Sequence, residues 1–405
     1  MKLKLVRAWV GMLALAVLAA CGGGESGTGP GSGAGPATGT LRLSLTDSPA
    51  CGFDNAWVTV EKIRVHRSSS AVDGDSGWAE VAMPQPLQVD LLTLTNGTLV
   101  PLGQIELPAG TYTQMRLVLS ENSASRPMAN SIKPSGGAMV ALTTPSAQQS
   151  GLKMNVNLEV PAGQVADFAI DFDACKSFVT AGKSGKILLK PVLSVVPMLA
   201  PAGQRIQGWL HPSLATAGAT VSVQAAGLIV RATPPLADGA GKFVLYPVPV
   251  GSYDLVVTAS GRVTALVTGV PAAANASTTI NSIAFPIDPP ASTRQAVGGT
   301  VSVGGNVVDT GGVVVASQRL AGGPTIEIAS DNARADTGVY GMALALGAPI
   351  RAPYVAGAAQ LVFLTDLMVP GRYQITATVA RGVAPKIEDI TLGATPLTLD
   401  FAFPP

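Results

Sequence analysis

Apolar and polar residues alternate with period two through much of the chain, the pattern of strands that bury one face. Leu41-Arg42-Leu43-Ser44-Leu45-Thr46 alternates strictly until Asp47-Ser48-Pro49 breaks it. Ala56 to His66 is a longer run rich in β-branched residues. Unbroken alternation there places Trp57, Thr59, Glu61, Ile63 and Val65 on one face, with Val58, Val60, Lys62, Arg64 and His66 on the other. Asp73-Gly74-Asp75-Ser76-Gly77 reads as a turn, with a strand restarting at Trp78. Val89 to Leu94 reads as a strand that ends at the tight turn Asn96-Gly97. No stretch shows sustained helical periodicity with caps, so the pattern predicts an all-β protein.

One stretch organises the rest. Leu107-Pro108-Ala109-Gly110-Thr111-Tyr112 launches a strand through Leu119. It recurs as Val248-Pro249-Val250-Gly251-Ser252-Tyr253, and in a shorter form as Val369-Pro370-Gly371-Arg372-Tyr373. Proline presets the first turn position and glycine takes the one that other residues resist. Three such units predict three β domains, at residues 41–197, 203–288 and 296–405. Linkers run from Leu199 to Gln204 and from Ser282 to Ala296, and an insertion from about Gly341 to Leu361 interrupts the third domain. In the second and third copies the tyrosine shares its face with apolar residues: Tyr253 with Leu255 and Val257, and Tyr373 with Ile375 and Ala377. In the first, Tyr112 shares its face with Gln114 and Arg116, while Met115, Leu117 and Leu119 lie opposite. That strand is either covered on both faces or exposes a Tyr-Gln-Arg row suited to a planar or carboxylate-bearing ligand.

The first twenty residues read as an address rather than as structure. Lys2, Lys4 and Arg7 precede the apolar run Val10 to Ala20, too short to span a membrane. Leu18-Ala19-Ala20-Cys21 resembles the bacterial lipobox, which implies a signal peptide at 1–20 and acylation of Cys21 by palmitate-like chains. Gly22, rather than aspartate, follows the cysteine, and by that resemblance the anchor lies in the outer membrane. Residues 21–40 are nearly all Gly, Ser, Pro, Ala and Thr and read as a flexible tether with a span of roughly 25 Å. Cys51 and Cys175 then form an even pair in an oxidising compartment, and a disulfide is the expected outcome. Closing so long a loop contributes on the order of 4 kcal/mol by restricting the unfolded chain.

Charged residues are only 13% of the 405 and the net charge is +1, which argues against nucleic acid as a partner. Leu43-Ser44-Leu45-Thr46-Asp47-Ser48-Pro49, Val89-Asp90-Leu91-Leu92, Gln149-Ser150-Gly151-Leu152-Lys153 and Asp171-Phe172-Asp173-Ala174-Cys175-Lys176-Ser177 come in the order found in a bacterial lipoprotein family, the domain of unknown function 4382. Residues 41–197 resemble that family, which implies a secreted or lipid-anchored β domain and no activity. Asp238-Gly239-Ala240-Gly241-Lys242-Phe243, followed by the repeat, resembles carboxypeptidase regulatory-like or Cna-B-like modules, which implies tandem transthyretin-like (prealbumin-like) β-sandwiches. Some such modules carry a lysine–asparagine cross-link. Lys242 and Lys386 are the lone lysines of the second and third domains, neither sits in an early core strand, and no cross-link is expected.

Chemistry-bearing groups are sparse. His66 and His211 are the two histidines, and neither has a nucleophile motif beside it. His66 reads as the cap of its strand. Asp171 and Asp173 share a strand face beside Cys175, where they form ion pairs or, alternatively, a calcium site. Trp209, Tyr246 and Tyr354 are the candidate platforms for a sugar. The expected function is that of a non-catalytic, lipid-anchored envelope protein presenting binding modules to a glycan or an envelope protein. The alternatives are carbohydrate binding by the second or third domain, and a scaffold or assembly component without a small ligand.

Overall fold

The computed structural model describes residues 37–48, 52–144, 150–181, 186–236, 239–307, 311–379 and 382–405. The expected signal peptide, 1–20, and Cys21 therefore lie outside the described residues. Residues 37–405 are all-β, and the described helices are single turns such as Ala174–Ser177 and Ser213–Thr216. Two sheets enclose each of three apolar cores.

In the first sandwich, the strand Thr38–Ser48 lies between Val100–Pro108, antiparallel, and Val165–Asp173, parallel. It starts inside the stretch expected as tether. Gly39 is there for closeness rather than flexibility, since a Cβ would sit 2.1 Å from the Pro161 carbonyl oxygen. The opposing sheet is centred on Phe53–His66, paired with Gly110–Leu119 and Ala79–Asp90.

Strict alternation fails on Phe53–His66. A bulge between Val60 and Lys62 shifts its phase, so that Val58, Val60, Ile63 and Val65 all enter one core. Glu61, the extra residue, accepts a 2.9 Å hydrogen bond from the Ser120 hydroxyl. A second departure follows Asp90. Its carboxylate accepts from the Ala56 and Leu92 amides, at 3.0 and 3.3 Å, and caps a 3-10 turn, Leu91–Thr93, where a strand was expected. Asn96 and Gly97 take positive φ of 54° and 79°, as a tight turn requires.

The repeat is a tyrosine-anchored corner. Tyr112 donates its hydroxyl to the Pro108 carbonyl at 3.0 Å, and Tyr253 donates to Pro249 at 2.8 Å. Each therefore ties the start of its strand to the turn four residues upstream, much as the tyrosine corner of immunoglobulin-like sandwiches does. The third copy is one residue shorter, and Tyr373 donates instead to Ala345, at 2.7 Å. Burial pushes the Tyr373 hydroxyl up to about 12, so it stays a donor. As expected, Tyr253, Leu255 and Val257 share one core, and Tyr373, Ile375 and Ala377 another.

The third stretch, 296–405, does not fold as one contiguous unit. The first part of the expected insertion, Gly341–Ala345, stays in the third sandwich as part of the strand Val339–Ala345, but the chain then leaves it, and Ile350–Pro353 pairs in parallel with Ala265–Ala272 of the second. Ile350, Ala352 and Leu361 then fill the second core. The insertion is apolar because it completes a neighbour's sheet. Nor is Leu199–Gln204 a loose linker. Gln204 is buried, its side chain engages Pro197 and Leu199 at 2.7 Å each, and its amide donates to Ala273 at 2.6 Å.

Tyr253→Phe removes a single hydroxyl from a filled corner. The expected loss is about 1 kcal/mol in equilibrium denaturation, with the strand pairing intact by circular dichroism.

Candidate functional site

The expected ligand row is covered. A bulge between Tyr112 and Gln114 breaks the expected row: Tyr112 enters the first core with Met115, Leu117 and Leu119, while Gln114 and Arg116 are buried on the opposite face. The cover is the excursion between His66 and Ala79. The Ala71 carbonyl accepts from Gln114 Nε2 at 2.9 Å and from Arg116 Nη2 at 2.8 Å. Arg116 stands directly across from Arg64 in the ladder, a repulsive pairing. The Trp78 ring relieves it by lying within 4.6 Å of both guanidinium carbons, and Asp73 pairs with both cations. Asp75 accepts from the Val72 amide at 2.9 Å, which fixes the turn. Gln114 and Arg116 therefore stabilise a loop instead of facing solvent.

The histidines also serve turns. His66 Nδ1 accepts from the Ser68 amide at 2.9 Å, and Nε2 meets the Ser76 carbonyl at 3.0 Å. His211 Nδ1 accepts from the Ser213 amide at 3.3 Å and stands 2.8 Å from its hydroxyl, a contact between close neighbours in the chain. Of the aromatic platforms, Trp209 is half-buried with Lys242 Nζ 5.9 Å from its ring centre. Tyr246 is buried under the Arg205 guanidinium at 4.5 Å, and Tyr354 packs on the second core.

Charge converges instead where the three sandwiches meet, and sequence reasoning missed this. The Arg231 guanidinium, from the second-sandwich strand Leu228–Thr233, is 3% exposed. It pairs with Asp171 of the first sandwich and donates to the Thr46 hydroxyl. The first sandwich also contributes Lys176, on the turn Ala174–Ser177 that Asp173 caps by accepting from the Lys176 amide at 3.1 Å. Lys176 Nζ reaches Glu327 Oε1 of the third sandwich at 3.1 Å. Gln224 of the second sandwich exchanges two 2.8 Å hydrogen bonds with the Glu327 backbone, as a strand neighbour would. Asn332 Nδ2 donates to the Lys176 and Phe178 carbonyls at 3.2 and 3.3 Å. The Asn96-Gly97 turn docks in the same region, with Asn96 donating to Thr233 and Pro234 and accepting from the Val244 amide.

Asp171 and Asp173, expected to form ion pairs or, alternatively, a calcium site, are thus engaged by a guanidinium and a backbone amide. Among the described residues no cluster of three or more His, Cys, Asp or Glu is placed to hold a metal. Cys175 lines a cavity of about 200 Å³ beside Lys176 and Glu327. Cys51, its expected partner, lies outside the described residues.

The hub is acid-rich: Asp47, Asp171, Asp173 and Glu327 face Arg231 and Lys176. Burial, and next the Asp171 charge, hold the Asp47 carboxyl well above the usual carboxylate range, while the Ala174 amide and Arg231 pull the other way. Burial also raises Asp171 against the pull of Arg231, and it raises Asp173 against Lys176.

Residues 38–191 match the family described as Domain of unknown function (DUF4382), as the sequence resemblance implied. Among curated proteins none matches the chain. Solved structures that the chain matches include the Bacillus anthracis TIE protein, at 11% identity and a TM-score of 0.18, over 90% of this chain and 50% of that one. The chain thus spans half the length of that protein. The Corynebacterium diphtheriae major pilin SpaA matches at 10% identity and a TM-score of 0.19, over 90% and 99%. Two B repeat units of the Staphylococcus aureus collagen-binding protein match at 10% identity and 0.16, over 80% and 98%.

Two outcomes follow from the hub. Arg231→Met leaves Asp171 buried without its cation and should cost about 3–5 kcal/mol, much of it recovered in the Arg231→Met, Asp171→Leu double variant. A carboxyl whose folded pKa is raised holds its proton more tightly in the folded chain. Its contribution is complete below its unfolded value, about 4, and is lost as the pH rises through the folded value. Urea denaturation from about pH 4 to neutral should show this decline, and Asp47→Asn should flatten it.

Proposed function

We propose that the chain is a non-catalytic, lipid-anchored cell-envelope protein that presents three β-sandwiches to an envelope partner as one rigid body. The observation that carries this reading is the buried inter-sandwich hub, above all the Arg231–Asp171 pair. Sandwiches that only needed spacing would be joined by solvated linkers. Here the joins are desolvated ion pairs and reciprocal hydrogen bonds, and Gln204 pins the first connection from both sides. The non-catalytic reading is supported by the polar residues themselves, since Gln114, Arg116, His66 and Asp173 are all engaged in turns, covers or caps. Steady turnover by the purified protein that disappeared on changing His66 or Asp173 would overturn it.

The anchor is read from Leu18-Ala19-Ala20-Cys21. Cys21→Ser should abolish palmitate incorporation and move the protein from the membrane fraction to the soluble one. Outer- and inner-membrane fractions separated on a sucrose gradient test the outer-membrane address.

The Cys51–Cys175 disulfide belongs to the same reading. Ser48 pairs with Asp173 in parallel register, so the chain leaves both strands at the same end of the first sandwich. Cys51 follows Ser48 by three positions and Cys175 follows Asp173 by two. Thiol labelling of the denatured, unreduced protein should find no free cysteine, and Cys51→Ser should expose one.

A scaffold role follows more directly from this geometry than glycan binding does, because the aromatic candidates are largely occupied. A glycan array that gave a Trp209-dependent signal would reverse that order.

A further inference from the structure

The run from Leu361 to Val369 is apolar except for Thr365 and Asp366. Leu361 is buried in the second core and Phe363 packs against it. Asp366 is buried and acts as the fastener. Its carboxylate accepts from the Ala321 amide at 2.8 Å and the Met368 amide at 3.3 Å, and its own amide donates to Pro349 at 2.8 Å. Gln318 Nε2 holds the far end by donating to the Val369 carbonyl at 3.1 Å. On the loop so fixed, Val362, Leu364, Leu367 and Met368 are 75%, 67%, 78% and 67% exposed. A loop pinned this firmly, with four apolar side chains in water, is built to present them.

Val369 also lines a cleft of about 470 Å³ with Arg319, Arg372 and Asp389. Among the described residues neither guanidinium has a hydrogen bond or an ion pair, unlike Arg42, Arg64, Arg116 and Arg231. Asp389 accepts from Gln374 at 3.1 Å. Two open cations thus line the cleft that Val369, at the end of the exposed apolar loop, also lines.

The geometry points to a docking site for an anionic phospholipid surface, with Leu364, Leu367 and Met368 entering the headgroup–acyl boundary and Arg319 and Arg372 meeting lipid phosphates. Charge complementarity selects this occupant over a second copy of the chain. The free edge strand here, Leu364–Thr365, is two residues long, too short to template pairing with another sheet. The site adds to the proposed membrane association and does not depend on acylation of Cys21.

Hydrogen–deuterium exchange on the full chain tests it, with vesicles of phosphatidylglycerol, vesicles of phosphatidylcholine, or inorganic phosphate alone. Phosphatidylglycerol should slow exchange across 361–369 by about tenfold, and phosphatidylcholine should not. Arg319→Gln with Arg372→Gln, or Leu367→Ser with Met368→Ser, should remove that protection and leave exchange elsewhere unchanged. The Cys21→Ser chain should keep the difference between the two lipids, which separates failure of the anchor from failure of this site. Equal protection by both lipids would overturn the proposal, as would none from either. Protection of the cleft by phosphate alone would mark a site for a free anion. Protection that grew with protein concentration in the absence of vesicles would mark a self-association surface.

Discussion

The arrangement of this protein depends on one requirement: a guanidinium taken out of water must find its counter-charge. Arg231 belongs to the second sandwich and Asp171 to the first, so neither can be buried acceptably alone. Lys176 and Glu327 repeat the condition between the first sandwich and the third. Separating the sandwiches would expose or strand these charges, which act beside an apolar seam where Val256 and Leu266 of the second sandwich meet Leu320 and Ile326 of the third. The same acid surplus makes the junction respond to protons, because Asp47, Asp171 and Asp173 compete for too few cations.

The local rules of the fold were largely legible in the residues. The Pro-x-Gly-x-Tyr stretch announced a turn and a strand, and its tyrosine closes a corner by a hydrogen bond to the same proline it follows. The shortened third copy warned of a difference, and there the tyrosine finds another carbonyl. Where strict period-two reading failed, the cause was a single inserted residue, Glu61, whose bulge changes phase without changing composition. Gly39 looked like tether for a similar reason, since composition does not distinguish a glycine needed for freedom from one needed for closeness.

The junction was not legible, because its partners are remote in the chain. Thr46 and Arg231 are 185 positions apart, and Gln224 and Glu327 are 103 apart. Each of these residues alone looks like an ordinary polar position on a strand. Asp171 and Asp173 drew attention as a possible cation site, and a cation is indeed what Asp171 binds, but it is supplied by another sandwich. The bulge that takes Tyr112 off the face of Gln114 and Arg116 left no mark in the pattern, and the strand carrying those two was legible as an anomaly and not as a site. Its polar face called for a cover, and the loop carrying Ala71, Asp73 and Trp78 supplies it.

The strand that the third stretch lends to the second sandwich bears on how the chain reaches its native state. Residues emerge in order as the chain is made, and the sheet containing Ala265–Ala272 stays open at one edge until Ile350–Pro353 arrives. During that interval an apolar edge is exposed on a body whose own sequence is already complete. The second and third sandwiches therefore mature together. A proteolytic cut or truncation ahead of residue 350 would damage the sandwich upstream of it as well as the one it interrupts.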